Sequence, residues 1–134
     1  MSDLLRNKAT SKDFMDRCEA ASDVAVTVDL LELLSNDLDA NVRGVVGENQ
    51  ITPQHILQKL SQDPDSGVRC TVARNPSTAL EILLILLGDP DVYVRKGAKN
   101  NPNSKIIPRQ PIKSSDHNEL EIHNKKSKIK EKKQ

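Results

Sequence analysis

At 134 residues, with 36% hydrophobic and 29% charged side chains, the chain is long enough for one domain with a modest core. One Phe, one Tyr and no Trp exclude an aromatic-rich core, and the longest apolar run, residues 82–87, is too short to span a bilayer. The net charge of +1 hides an asymmetry: residues 1–105 carry 12 Lys/Arg against 15 Asp/Glu, and residues 106–134 carry 8 against 4. Cys18 and Cys70 show neither metal-ligand spacing nor a disulfide framework, and the N-terminus lacks the apolar run of a signal peptide. A soluble protein of the reducing cytoplasm is the expectation.

The elements repeat. Residues 4–5 (Leu-Leu) open a first apolar stripe that Asn7 and Lys8 leave polar, as an end unit of an array requires. Residues 11–21, SKDFMDRCEAA, fill the first-helix slot of a diverged unit, with Ser11 as its expected cap and Arg17 in its arginine slot. A leucine-rich run at 30–34 precedes DLDANVRGVVGENQIT (37–52), DPDSGVRCTVARNPST (63–78) and DPDVYVRKGAKNNPNS (89–104), three copies of one phrase at a period of 26 residues. The period aligns Asp37, Asp63 and Asp89; Val42-Arg43, Val68-Arg69 and Val94-Arg95; Asn49, Asn75 and Asn101; and the hydroxyls of Thr52, Thr78 and Ser104. A fixed period of this length marks a solenoid, in which each unit buries its apolar face on its neighbours.

Each phrase reads as helix, stop, helix. Asp63 is the expected N-cap with Pro64 at the first helical position, and Val68, Thr71 and Val72 follow at helical spacing, like Val42, Val45 and Val46. Asn75-Pro76 ends the helix, the asparagine tolerating a left-handed closing conformation. Thr78 is the expected second cap, with Glu81 completing a capping box, and Thr52-Pro53 does the same one unit earlier. Ile56, Leu57 and Leu60, then Ile82, Leu83 and Leu86, form the buried stripe of the second helix. Pro108 and Arg109 interrupt the stripe at the far end, giving about three and a half units that finish near residue 107. Residues 108–134, with two prolines and a Lys-rich end, are expected to form a disordered basic tail, in which Leu120, Ile122 and Ile129 allow at most a transient amphipathic turn.

The pattern D-P-D-x-x-V-R-x-x-V-A-x-N-P-x-T-x-x-x-L-x-x-L, best kept at 63–87 and traceable over about residues 23–105, resembles the leucine-rich repeat variant family. The resemblance implies an all-α fold, a short right-handed superhelix of helical repeats in the style of HEAT and armadillo-like arrays. Some members of that family carry an iron–sulfur module on extra cysteines; this chain lacks those cysteines, so no cofactor is carried over.

Among candidate site residues, Arg43, Arg69 and Arg95 recur in every phrase and would stack in a row able to grip carboxylates or phosphates. Asp39, Asp65 and Asp91, four residues upstream, offer each of them an ion pair, so the row has a structural reading beside the functional one. The asparagines are expected to serve the helix stops, and Cys70, aligned with Gly44 and Lys96, to be a small residue facing a neighbour. His55, His117 and His123 have no second ligand at metal spacing, and no catalytic constellation emerges, so an enzyme is not expected. What varies within a constant frame points to a binding surface: positions 40–41, 66–67 and 92–93, with Glu48, Arg74 and Asn100. Tyr93 is the expected anchor. The reading is a non-catalytic protein-interaction module, monomeric, whose partner is an unidentified protein or peptide. The polar or broken stripes cover the ends incompletely, and dimerisation through the aborted unit after Ser104 is the rival to a monomer. The alternative function is non-specific nucleic-acid binding through the arginine row and the tail lysines Lys125, Lys126, Lys128, Lys130, Lys132 and Lys133, without aromatic stacking.

Overall fold

A computed structural model of the chain describes residues 3–106. Among them are eight α-helices and no strand: α1 (Asp3–Ala9), α2 (Phe14–Ser22), α3 (Val28–Leu34), α4 (Ala40–Glu48), α5 (Gln54–Leu60), α6 (Ser66–Arg74), α7 (Leu80–Leu86) and α8 (Val92–Asn100), followed by a 3₁₀ turn at Pro102–Ile106. The period holds to the residue. Helices α2, α4, α6 and α8 each have 9 residues and start 26 apart, and α3, α5 and α7 each have 7 and keep the same spacing. Three complete pairs therefore stand between α1 and α8. Helices this short are marginal alone, so packing must supply their stability.

The nine-residue helices pack side by side in one row, α2 on α4, α4 on α6 and α6 on α8, while each seven-residue helix packs on the row beside its own partner. The core runs between the two layers. Val42, Val46, Val68, Val72 and Val94 enter it from the first layer, and Leu30, Leu31, Leu34, Ile56, Leu57, Leu60, Ile82, Leu83 and Leu86 from the second. Each fully buried branched side chain contributes about 1.5–3 kcal/mol. The expected stripes are the core.

The helix boundaries depart from the expected capping in four ways. Asp65, not Asp63, caps α6, its Oδ1 accepting from Gly67 N at 2.7 Å and Val68 N at 3.3 Å; Asp39 and Asp91 do the same for α4 and α8. Asp13, not Ser11, caps α2, and Ser11 Oγ donates to Asp16 instead. Thr78 does not cap α7: Ala79 holds that position without a side-chain bond, and Thr78 Oγ1, fully buried, donates back to Val72 O at 2.8 Å. Thr52 Oγ1 donates likewise to Val46 O at 2.7 Å, and Ser104 Oγ to Ala98 O. These hydroxyls give a second hydrogen bond to carbonyls in the last turn of the first helix, which also accept the backbone N–H of the closing asparagine. The asparagines end the helices in extended rather than left-handed backbone, Asn75 at φ −70° and ψ 121°, and no described non-glycine residue has a positive φ.

The row is tight enough to need glycine. A Cβ added at Gly47 would lie 2.3 Å from Thr71 Oγ1 and 3.3 Å from Val72 Cγ2 on the next helix. Gly47→Ala is expected to cost about 1–2 kcal/mol by overpacking, and adding Thr71→Ala to recover most of it. Urea unfolding of the two variants measures both. A double variant no more stable than Gly47→Ala alone would contradict this account of the contact.

Candidate functional site

The arginine row is assembled by the repeat itself. Arg43 Nε donates to Asp63 Oδ2 at 2.7 Å and Nη2 to Asp63 Oδ1 at 3.0 Å, a two-pronged pair reaching the next unit. Arg17 grips Asp37 and Arg69 grips Asp89 in the same way, each across 20 residues of chain. The third nitrogen of each fork, Nη1, donates to the carbonyls of the loop before its own helix, as Arg43 does to Asp37 O and Leu38 O. The anticipated partners four residues upstream, Asp39, Asp65 and Asp91, are engaged as caps instead. Asp63 completes its role by accepting the Asp65 N–H at 2.9 Å. Burial pushes the carboxyls of Asp37, Asp63 and Asp89 up, but the guanidinium and that backbone N–H outweigh it, and all three lie below the usual aspartate pKa. Arg95 is half-buried and bonds its own loop, at Asp89 O and Pro90 O.

The asparagines also tie unit to unit. Asn75 Nδ2 donates to Gly47 O at 2.8 Å and Asn49 O at 3.0 Å, and Asn101 Nδ2 to Ala73 O and Asn75 O. Each side-chain oxygen accepts a backbone N–H two residues on, as Asn75 Oδ1 does from Ser77 N.

A different set of residues lines open hollows on the helix row. Between α6 and α8 lies an open hollow of about 400 Å³, lined by Cys70, Arg74, Tyr93, Lys96, Gly97 and Asn100 among others. Between α4 and α6 lies a second, of about 450 Å³, lined by Glu48, Gln50, Thr71 and again Cys70 and Arg74. The shared residues make one groove along the helix row. Tyr93 stands at its end with 68% of its surface exposed. At Gly97 the row is closely packed, since a Cβ there would lie 2.9 Å from Arg74 Cγ and 3.2 Å from Ala73 Cβ. Charge is graded along it, from Glu48 through Arg74 to Lys96, and no carboxylate lines the α6–α8 hollow.

Of the expected variable positions, Glu48, Arg74, Asn100, Gly67 and Tyr93 line this groove and Ser66 and Val92 do not; Arg43, Arg69 and Arg95 lie outside it as well. Ala40 and Asn41 line a third hollow of about 260 Å³ beside it, with Gly44 and Thr71. Cys70 is half-buried and its thiol points to Tyr93 O at 3.7 Å. Lys96 and Gly97 were not singled out from the sequence. The slot 44, 70, 96 reads Gly, Cys, Lys and varies as freely as the others, so the same variation test applied there would have found Lys96. His55 sits apart, bonded to Glu32 Oε1 at 2.9 Å; that contact first, then Lys59, holds the Glu32 carboxyl below its usual range. Among the described residues no group of His, Cys, Asp and Glu is arranged to hold a metal, and no helix is long and apolar enough to cross a membrane. The tail lysines, His117 and His123 lie outside the described residues.

Comparison with known proteins agrees with the repeat. No curated protein and no solved structure matched the chain. The model of the leucine rich repeat variant family matches residues 67–91, which run from the start of α6 through α7 to the cap of α8. Residues 67–91 of this helical array are thus similar to the repeat of the leucine rich repeat variant family.

Proposed function

We propose that the chain is a non-catalytic interaction module and that the groove along α4, α6 and α8 receives a segment of another protein. The observation that carries this reading is the coincidence of Tyr93, Arg74 and Lys96 around one hollow that holds no carboxylate. An exposed tyrosine beside a guanidinium that has no ion-pair partner among the described residues is the composition of an interface hot spot. The positive end of the groove favours a partner segment with an acidic side chain placed against Arg74 and Lys96, and the cytoplasm suits the free thiols of Cys18 and Cys70. The module acts as a monomer in this reading, one groove per chain.

Tyr93→Ala is expected to weaken capture of the partner roughly 30-fold, the effect of losing one anchor worth about 2 kcal/mol. Quantitative pull-down with the full chain measures it, with Val24→Ala, outside the groove, as the control. Equal capture by both variants would sink the proposal. Non-specific nucleic-acid binding has less support. Its row of guanidiniums is interrupted, because Arg43 and Arg69 are engaged by Asp63 and Asp89.

A further inference from the structure

The two hollows of the groove are one hollow repeated. Adding the 26-residue period to Glu48, Gly67, Cys70, Thr71 and Arg74 of the α4–α6 hollow gives Arg74, Tyr93, Lys96, Gly97 and Asn100 of the α6–α8 hollow. Whatever lies in the groove therefore meets the same frame twice, one helix spacing apart. Helices packed side by side stand about 8–10 Å apart. A polyproline II segment advances about 9 Å per turn of three residues, so residues i and i+3 face the same way at that distance. A strand returns a side chain to one face about every 7 Å, and an α-helix about every 5.4 Å. The first of these periods matches the groove in a single step.

The walls offer the bonds that such a segment needs. Its backbone makes no internal hydrogen bonds and takes them from outside. Gln50 and Asn100, both exposed, bring side-chain amides to the two hollows, and neither amide is bonded among the described residues. Their neighbours Asn75 and Asn101 are by contrast engaged at the joints between units. An α-helix in the groove would leave both open amides unused, because its backbone is bonded internally. The charges differ between the two copies of the hollow. Glu48 and Arg74 line the α4–α6 hollow, with Asp65 beside Glu48 in the adjoining one, whereas Arg74 and Lys96 line the α6–α8 hollow.

We propose, resting on the reading of the groove as a docking surface, that its occupant is a polyproline II segment of the partner protein running across the helices. It carries an acidic residue in the α6–α8 hollow and a basic residue three positions away in the α4–α6 hollow. The acid meets Arg74 and Lys96, and the base meets Glu48. The acid also offsets Arg74, which lines both hollows and which the base would otherwise face alone. Gly67 and Cys70, standing where the next unit has Tyr93 and Lys96, leave room for a long basic side chain. Tyr93 offers an exposed ring against which a proline of such a segment packs.

The test is selection from a displayed library of random dodecapeptides on the full chain, followed by fluorescence anisotropy of the selected peptide. The expected result is an acidic and a basic residue three positions apart, with proline tolerated at both positions between them. Exchanging those two charges in the peptide is expected to weaken binding about tenfold, and the double variant Glu48→Arg with Arg74→Glu to restore it. Charges two positions apart would overturn the proposal in favour of a strand. A tenfold loss on placing proline between the charges would overturn it in favour of a helix. Selection without a charge pair, no selected peptide, or an exchanged peptide that the double variant does not rescue overturns it as well. The use of the groove is decided separately by the Tyr93→Ala pull-down. Partner capture that depends on Tyr93 beside a failed selection sinks this proposal alone, and capture indifferent to Tyr93 sinks both.

Discussion

Asn75→Ala is expected to destabilise the protein by about 3 kcal/mol, because one side chain completes three backbone groups at a junction between units. Asn75 is 2% exposed. Its truncation strands Gly47 O in the preceding unit and Ser77 N in its own, and leaves Asn49 O with only the Thr52 N–H. Each stranded group costs about 1–3 kcal/mol, less whatever relaxation of the loop recovers. Asn49→Ala should cost less, since Asn49 Nδ2 has a single interunit acceptor, Ala21 O, and is half-buried. Asn75→Asp should be at least as damaging as alanine at neutral pH, because it sets a carboxylate oxygen against two carbonyls. Urea unfolding of the three variants checks the order. An Asn75→Ala variant within 0.5 kcal/mol of the parent, roughly the level of an inert surface change, would contradict it.

Arg43→Ala is expected to cost about 3 kcal/mol at pH 7, since it leaves Asp63, with a side chain 5% exposed, ionised and without its guanidinium. The pH dependence separates this cause from lost packing. In the parent protein the folded pKa values of Asp37, Asp63 and Asp89 are lowered. Their stabilisation is therefore fully present above the unfolded value of about 3.9 and is lost as pH falls through the lower folded values. In Arg43→Ala, burial acts on Asp63 without its main opponent, and its carboxyl shifts the other way. Acidification through about pH 4 should then erode the parent while shrinking the deficit of the variant. Denaturation midpoints at pH 7, 5, 4 and 3 measure the two trends. A deficit that stays constant with pH would show that Arg43 acts by packing alone.

These two sites also mark where sequence reading succeeds and where it stops. The helix-stop-helix order and the buried stripes at 56, 57 and 60 and at 82, 83 and 86 follow from spacing, because helical periodicity is local. The choice between Asp63 and Asp65 as the cap is not local. Both aspartates of D-P-D suit a helix start, and Arg43, 20 residues upstream, claims the first and leaves the second for the cap. Thr78 misled for the same reason: a hydroxyl two residues before a helix reads as a cap until the fold brings Val72 O beneath it. At the candidate site, position-to-position variation pointed to Glu48, Arg74, Asn100 and Tyr93, which do line the groove. The part played by Gly97 was hidden, because its value is the space it leaves for a side chain of the previous unit.

The central claim, that the α4–α6–α8 groove is a surface for another protein, is tested most directly by photo-crosslinking. A benzophenone amino acid replaces Tyr93 in the full chain, or Val24, which is 96% exposed and outside the groove, and nuclease-treated extract is irradiated with each. The account predicts a discrete protein adduct from position 93 that is absent from position 24 and disappears when Arg74→Glu is added. Equal adducts from both positions, no adduct from position 93, or an adduct indifferent to Arg74→Glu would contradict it.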